Sequence, residues 1–255
     1  MAVPTLKAPV VFVHGLFGFD KLGMGAWTLT HYFRGIPEML RAAGNRVLVA
    51  RLNPIGGIAE RAEQLKTLLD AESPHEPVHL IAHSMGGLDS RYMISRLGMA
   101  PRVLSLTTVG TPHRGTAFAD WGVRCFSRMV CPVFEFFGLP YQAFRDLTTA
   151  RCRAFNEEAP DAPGVRYFSV AGRFHADWLA PQWQLPAAIV ERKEGPNDGI
   201  VSVESARYGE VSDVWEGDHM NLVNWAHPLG PTFVHSPDRS ADYGRLVGRL
   251  ADAGF

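Results

Sequence analysis

Residues 78–87 read Val-His-Leu-Ile-Ala-His-Ser-Met-Gly-Gly. A short apolar run stops at a serine with small residues two positions to either side, and helix-like sequence follows at once. This pattern constrains the fold strongly. A buried strand must end in a sharp turn with Ser84 at its tip, and bulky groups at positions 82 or 86 would collide with the adjoining strand and helix. Ala82 and Gly86 meet that demand, alanine being a mild departure from the usual glycine. An ordinary strand-to-helix turn can carry the same spacing, so the weight of the pattern depends on what else the chain supplies.

Apolar runs alternate with amphipathic stretches through the first half. Val10–Val13, Val47–Leu52, Val78–Ala82 and Val103–Val109 read as buried strands, and Val165–Val170 and Val211–Trp215 as later ones. Between them Ile58, Ala62, Leu65 and Leu69 share one helical face. Ile36–Leu40 and Leu88–Leu97 are further helical segments, and Tyr243, Leu246, Val247 and Leu250 mark a closing helix. Alternation of this kind predicts an α/β fold, a mostly parallel central sheet covered by helices on both faces. At 255 residues, with 46% hydrophobic and 20% charged residues, the chain suits a single α/β domain with a sizeable core.

The rhythm breaks between residues 116 and 163, where no strand is evident. Trp121, Phe126, Phe134 and Phe137 are among many large apolar groups there, and Pro132, Pro140, Arg124, Arg128 and Glu135 rule out a bilayer span. Two readings stand: a helical insertion packed on the core, or a lid whose inner face holds acyl chains. No segment reaches the ~18 apolar residues of a membrane helix. The net charge of −1 gives no reason to expect nucleic acid. Cys125, Cys131 and Cys152 match no zinc spacing, leaving one bridge or buried free thiols. Met1 is followed by no export signal, which predicts a cytoplasmic protein, or an extracellular one if a signal has been removed.

A serine hydroxyl needs a base within hydrogen-bond reach, and that base needs an orienting carboxylate. After a nucleophile elbow the order along the chain is acid, then histidine. Asp198 sits in the turn-rich Gly195-Pro196-Asn197-Asp198-Gly199, which also reads as a plain Asn-Asp-Gly turn. His219 follows the last strand, and a solvated loop histidine is its alternative reading. His113, His175, His227 and His235 compete with it. An oxyanion hole would take the Met85 N–H and a second N–H, that of Leu16, from the glycine-containing loop His14-Gly15-Leu16-Phe17-Gly18.

Taken together these pieces resemble the bacterial true lipases of the α/β-hydrolase fold, the group that includes the Pseudomonas and Burkholderia triacylglycerol lipases. His14–Asp20 is similar to the family's oxyanion loop, Tyr32–Pro37 and Arg61–Leu65 to its next helices, Ile81–Gly87 to its elbow, and Val109–Gly115 to the segment entering the lid. Asn197–Val201 and His219–Asn224 match the acid and histidine motifs. The resemblance implies Ser84, Asp198 and His219 as a triad, Arg61 as a brace for the oxyanion loop, and hydrolysis of medium- or long-chain esters at a lipid–water interface. Short-chain esterase, thioesterase or acyltransferase activity on the same triad, and a binding protein with a disabled site, are the rivals. No cofactor is required for the chemistry. Family members bind a structural calcium through an aspartate two residues after the histidine, where this chain has Asn221, a weaker ligand; Asp177 would match the other calcium aspartate. The family cysteine shortly after the Asn-Asp-Gly motif is also missing.

Overall fold

The computed structural model describes residues 3–16, 21–24, 27–129, 141–175, 181–225 and 238–255. Six strands form one parallel sheet: β1 (Val10–Val13), β4 (Val47–Val49), β5 (Val78–His83), β6 (Val103–Val109), β7 (Arg166–Arg173) and β8 (Val211–Glu216), in the order β4-β1-β5-β6-β7-β8. Two further strands, β2 (Lys21–Met24) and β3 (Trp27–His31), make a separate antiparallel hairpin.

Side-chain alternation divides the core into two layers. Val10 and Phe12 of β1 face a cluster with Ile36 and Leu40 of α1 (Ile36–Ala42) and with Tyr243, Leu246, Val247 and Leu250 of the closing helix Ser240–Asp252. Val11 and Val13 face the opposite cluster, built on Ala62, Leu65 and Leu69 of α2 (Ile58–Glu72) and Met93 and Ile94 of α3 (Met85–Arg96). Strands buried on both faces explain why their sequences are continuous apolar runs.

From β1 the chain winds outward to β4, then returns to lay β5 on the other side of β1. The order reverses at the β1/β5 pair, so the loops leaving those two strands diverge and open a crevice at their carboxyl ends. His14–Leu16 leaves β1 there, and Ser84 leaves β5. The topology alone brings those two loops together.

Sequence and structure agree on all six sheet strands, with shifted ends. The Val47–Leu52 segment pairs as a strand only to Val49, because the N–H groups of Leu52 and Asn53 go to side-chain acceptors, His14 Nε2 and Gln64 Oε1. Strand β7 runs on to Arg173 by pairing with the end of β8. Tyr32–Gly35 is a turn, and the helix there starts at Ile36 with Pro37 in its first turn, where a missing N–H costs nothing. Helix Pro181–Glu194 escapes a sequence reading because it carries Pro186 in its interior.

Between β6 and β7 the described residues form α4 (Ala117–Met129), α5 (Tyr141–Asp146) and α6 (Thr149–Glu158). Polar ties fasten this insertion to the body. Asp146 Oδ2 accepts the Ile58 N–H at 3.1 Å, capping α2, whose own cap residue is a glycine. Arg91 of α3 reaches Asn156 Oδ1 at 2.7 Å and the Ala159 carbonyl at 2.9 Å. Cys125 is an exposed free thiol rather than a buried one, and Cys152 is buried with its thiol pushed up to about 12 by burial. Among the described residues no helix is long and apolar enough to cross a membrane.

Leu65 has no solvent exposure, whereas Val211 on the edge strand is 40% exposed. Leu65→Ala is expected to lower unfolding stability by about 2–5 kcal/mol and Val211→Ala by under about 1 kcal/mol in urea titrations. Equal losses would contradict the layer assignment.

Candidate active site

Ser84 occupies the junction between β5 and α3 with φ 55° and ψ −132°, a backbone conformation that costs a non-glycine residue about 1–3 kcal/mol. Flanking bonds hold it there: its N–H donates to Val109 O at 2.9 Å and its carbonyl accepts from Thr111 Oγ1 at 2.7 Å. A β-carbon on Gly86 would lie 2.7 Å from both the Val13 and His14 carbonyl oxygens, so position 86 admits glycine alone. Met85 is the first helical residue, and its N–H is one of those that a helix leaves without an internal acceptor.

The loop after β1 is fixed from below by Arg61. That side chain is fully buried on α2 and donates to three partners: His14 O at 2.6 Å, Asn53 O at 2.7 Å and Asp89 Oδ2 at 2.7 Å. Burial raises the Asp89 carboxyl to about 7 against the pull of the Arg61 guanidinium. His14 fixes the same loop from the side. The Leu52 N–H donates to its Nε2 at 3.1 Å, which makes Nε2 the acceptor, so Nδ1 carries the hydrogen that Gly15 O accepts at 2.9 Å. Burial, then the Arg61 charge, holds the His14 imidazole down at about 4.

Asp198 lies in the loop after helix Pro181–Glu194, fully buried. Its Oδ1 accepts the N–H groups of Ile200 and Val201 at 3.1 and 2.8 Å, and its Oδ2 accepts His219 Nδ1–H at 2.7 Å. The two residues are also joined by the main chain, His219 N–H to Asp198 O at 2.7 Å. With Nδ1 donating to the carboxylate, His219 Nε2 is left as the basic nitrogen. Gly110, at φ +58°, makes room for the pair, since a β-carbon there would sit 3.1 Å from Asp198 Oδ2 and 3.3 Å from His219 Nδ1. Gly110 belongs to the Val109–Gly115 segment, and a glycine closing a buried strand is the sequence signal for this second role.

Ser84 and His219 line one cavity of about 460 Å³, which Leu16, Tyr32, Phe118, Phe144, Leu147, Trp183, Ile200 and Trp225 make largely apolar. The insertion thus contributes Phe118, Phe144 and Leu147 to its wall. Trp121, expected there from sequence, stacks on Phe118 at 5.8 Å and is not part of the lining. Phe134, Phe137 and Asp177 lie outside the described residues, and of Phe126 only the backbone is described. His113 is buried away from the cavity, stacked on Tyr208 at 4.1 Å; His175 is exposed; His227 and His235 fall outside the described residues.

Asn221, which stands where the resembling family has a calcium aspartate, is engaged by its own loop. Asn221 accepts the Asp218 N–H through Oδ1 and donates to Trp225 O at 2.7 Å, so it serves as a loop clasp. Among the described residues no three His, Cys, Asp or Glu side chains converge as metal ligands.

Comparison with known proteins agrees with this arrangement of sheet and loops. Residues 10–255 match the model of the alpha/beta hydrolase family. Triacylglycerol lipase 2 of Saccharomyces cerevisiae is 32% identical, over 88% of this chain and 82% of its own length. The triacylglycerol lipase of Burkholderia plantarii is 29% identical, over 96% of this chain and 86% of its own. Among solved structures, a mature Bacillus licheniformis lipase superposes with a TM-score of 0.72 at 22% identity, covering 94% of this chain and 92% of that one.

Removing one member of a buried ion pair leaves the other charge stranded. Arg61→Met is expected to cost about 3–5 kcal/mol in urea titrations, and Arg61→Met/Asp89→Leu to regain part of that loss; a double variant no more stable than the single one would contradict the pairing. A second expectation concerns acid. His14, His79, His83 and His113 are all held below the ordinary histidine value, chiefly by burial. Each therefore contributes stability that is complete above the unfolded value of 6.5 and is lost as pH falls towards the folded one. For His14 alone the loss is about 3 kcal/mol. Asp89, raised, works in the opposite sense over the same range, one group against four. The urea midpoint should fall from pH 7 to pH 5, and a midpoint that rises would refute the neutral histidines.

Proposed function

Since the chain belongs to the alpha/beta hydrolase family, we propose that it is a serine ester hydrolase, a triacylglycerol lipase acting on medium and long acyl chains. The observation that carries this reading is that Ser84 and His219, the latter oriented by Asp198, open onto a single large apolar cavity. The names of the relatives in yeast and Burkholderia support the substrate class.

In the first half-reaction Ser84 Oγ attacks the ester carbonyl carbon as His219 Nε2 takes its proton. Negative charge gathers on the carbonyl oxygen, where the N–H groups of Leu16 and Met85 serve as donors. The tetrahedral adduct collapses, the carbon–alkoxy bond breaks, and His219 returns the proton to the departing alcohol. Water then attacks the acyl-serine by the same route: His219 takes a proton from it, the carboxylic acid leaves, and Ser84 regains its hydrogen. Asp198 holds the Nδ1–H tautomer and stabilises the imidazolium at each transfer. Arg61 keeps the Leu16 peptide in place through His14 O, so the donor is preorganised before charge develops. No step passes through a metal or an organic cofactor.

The apolar wall from Phe118, Phe144, Leu147 and Trp183 suits an acyl chain better than a compact polar acid. The helical insertion acts as a cap on this cavity. Leu185, 58% exposed on the helix that supplies Trp183, offers an apolar contact for a lipid surface.

Ser84→Ala should abolish turnover of p-nitrophenyl esters, and Asp198→Asn should lower kcat by about 10⁴ through the wrong imidazole tautomer. Across a series of esters from C2 to C16, kcat/KM should peak at C8 or longer and emulsified triglyceride should be hydrolysed. A maximum at C2–C4 with no triglyceride turnover would replace the lipase reading by a short-chain esterase, and full activity in Ser84→Ala would end both.

A further inference from the structure

His83 stands next to Ser84 and has no role in the chemistry above, yet it is fully buried and both of its ring nitrogens are engaged. Its Nε2 lies 3.0 Å from the His219 main-chain oxygen, and its Nδ1 lies 2.7 Å from the Tyr32 hydroxyl. A carbonyl can only accept, so Nε2 carries the hydrogen. Burial first, and the neighbouring His219 next, keep the ring neutral, so Nδ1 presents a lone pair. Tyr32 must therefore donate to Nδ1, which leaves its oxygen as the acceptor for the Gly15 N–H at 3.4 Å. One direction runs through the whole chain of bonds: Gly15 N–H to Tyr32, Tyr32 to His83, His83 to the His219 carbonyl.

The two ends of that chain are the two parts of the site that must keep a fixed spacing. Gly15 precedes the proposed donor Leu16. Its carbonyl is bound by His14 Nδ1–H, and in a trans peptide the next N–H points the opposite way. The His14–Gly15 peptide is held at its oxygen by Arg61 and at its N–H by Tyr32. Tyr32 is itself clamped, its main-chain oxygen accepting Trp225 Nε1–H at 2.6 Å. At the far end, the His219 main chain is shared between His83 and Asp198.

We infer that Tyr32 and His83 are positioning residues for ester hydrolysis, a buried relay that ties the peptide before the oxyanion donor to the main chain of the catalytic histidine. The inference rests on the ester-hydrolase reading. Tyr32 also borders the cavity, but the role assigned to both side chains is exerted through Gly15 and His219. Loosening the relay lets the donor drift from the place where charge develops, which weakens transition-state binding and leaves ground-state binding intact.

Tyr32→Phe keeps the ring and removes only the hydroxyl. On p-nitrophenyl butyrate its kcat is expected to fall tenfold or more, with KM within twofold of the wild type. Labelling of Ser84 by a p-nitrophenyl phosphonate, which needs the same oxyanion geometry, should slow by a similar factor. Tyr32→Phe/His83→Gln should lose no more than the worse single variant, because both break one chain of bonds; should the histidine variant fail to fold, Tyr32→Phe decides alone. An unchanged kcat, a raised KM at constant kcat, or single-variant losses that multiply in the double variant would overturn the relay. Absence of Ser84-dependent turnover in the wild type would instead overturn the ester-hydrolase reading, and the same assay reports it.

Discussion

A guanidinium shut away from water has to find all its partners within the protein, and Arg61 finds them on three separate segments. It joins the helix that carries it to the loop after β1, to the loop after β4 and, through Asp89, to α3. Because a stranded charge in the interior is so costly, these segments cannot move apart independently. The crevice at the β1/β5 reversal is a consequence of topology, and Arg61 is one of the side chains that hold the loop on its β1 side. Everything proposed for Leu16 and Ser84 depends on the loop that Arg61 holds.

Around that cation the histidines form an ordered set. His14 is fixed as the Nδ1–H tautomer by the Leu52 amide, His83 as the Nε2–H tautomer by the His219 carbonyl, and His219 as the Nδ1–H tautomer by Asp198. Two of the three, His14 and His83, have both ring nitrogens bonded within the protein; His219 borders the cavity, and among the described residues only its Nδ1 has a partner. In the proposed reaction, the distinction between a structural and a reactive imidazole lies in how many of its nitrogens the fold consumes.

Much of this was legible in the chain. The six sheet strands are buried on both faces, so their apolar runs stand out, and a serine between Ala82 and Gly86 marks the turn. The spacing of Asp198 and His219 after Ser84 follows from the order of strands, and the resemblance to lipase motifs sharpened it. Other features left weaker marks. The helix Pro181–Glu194 hides behind its prolines, and the strands Lys21–Met24 and Trp27–His31 are short. Trp121 looked like a cavity residue because large apolar groups crowd that region, whereas Phe118 three residues earlier lines the wall and Trp121 stacks behind it. Tyr32 and His83 could not be read as partners, since 51 residues separate them and only the fold brings the ring nitrogen to the hydroxyl.

The helical insertion leaves the sheet after β6 and rejoins it at β7, and those two strands are direct neighbours. Their pairing asks nothing of the intervening length. The insertion is fastened to the body by side chains such as Asp146 and Arg91 and by an apolar cluster it shares with Ile58, Met85 and Leu88, while Ser84, Asp198 and His219 all lie on other segments. Strand pairing therefore leaves the length of the cavity's wall free to vary, and a change there would alter which acyl groups fit without disturbing the mutual geometry of the groups proposed to react.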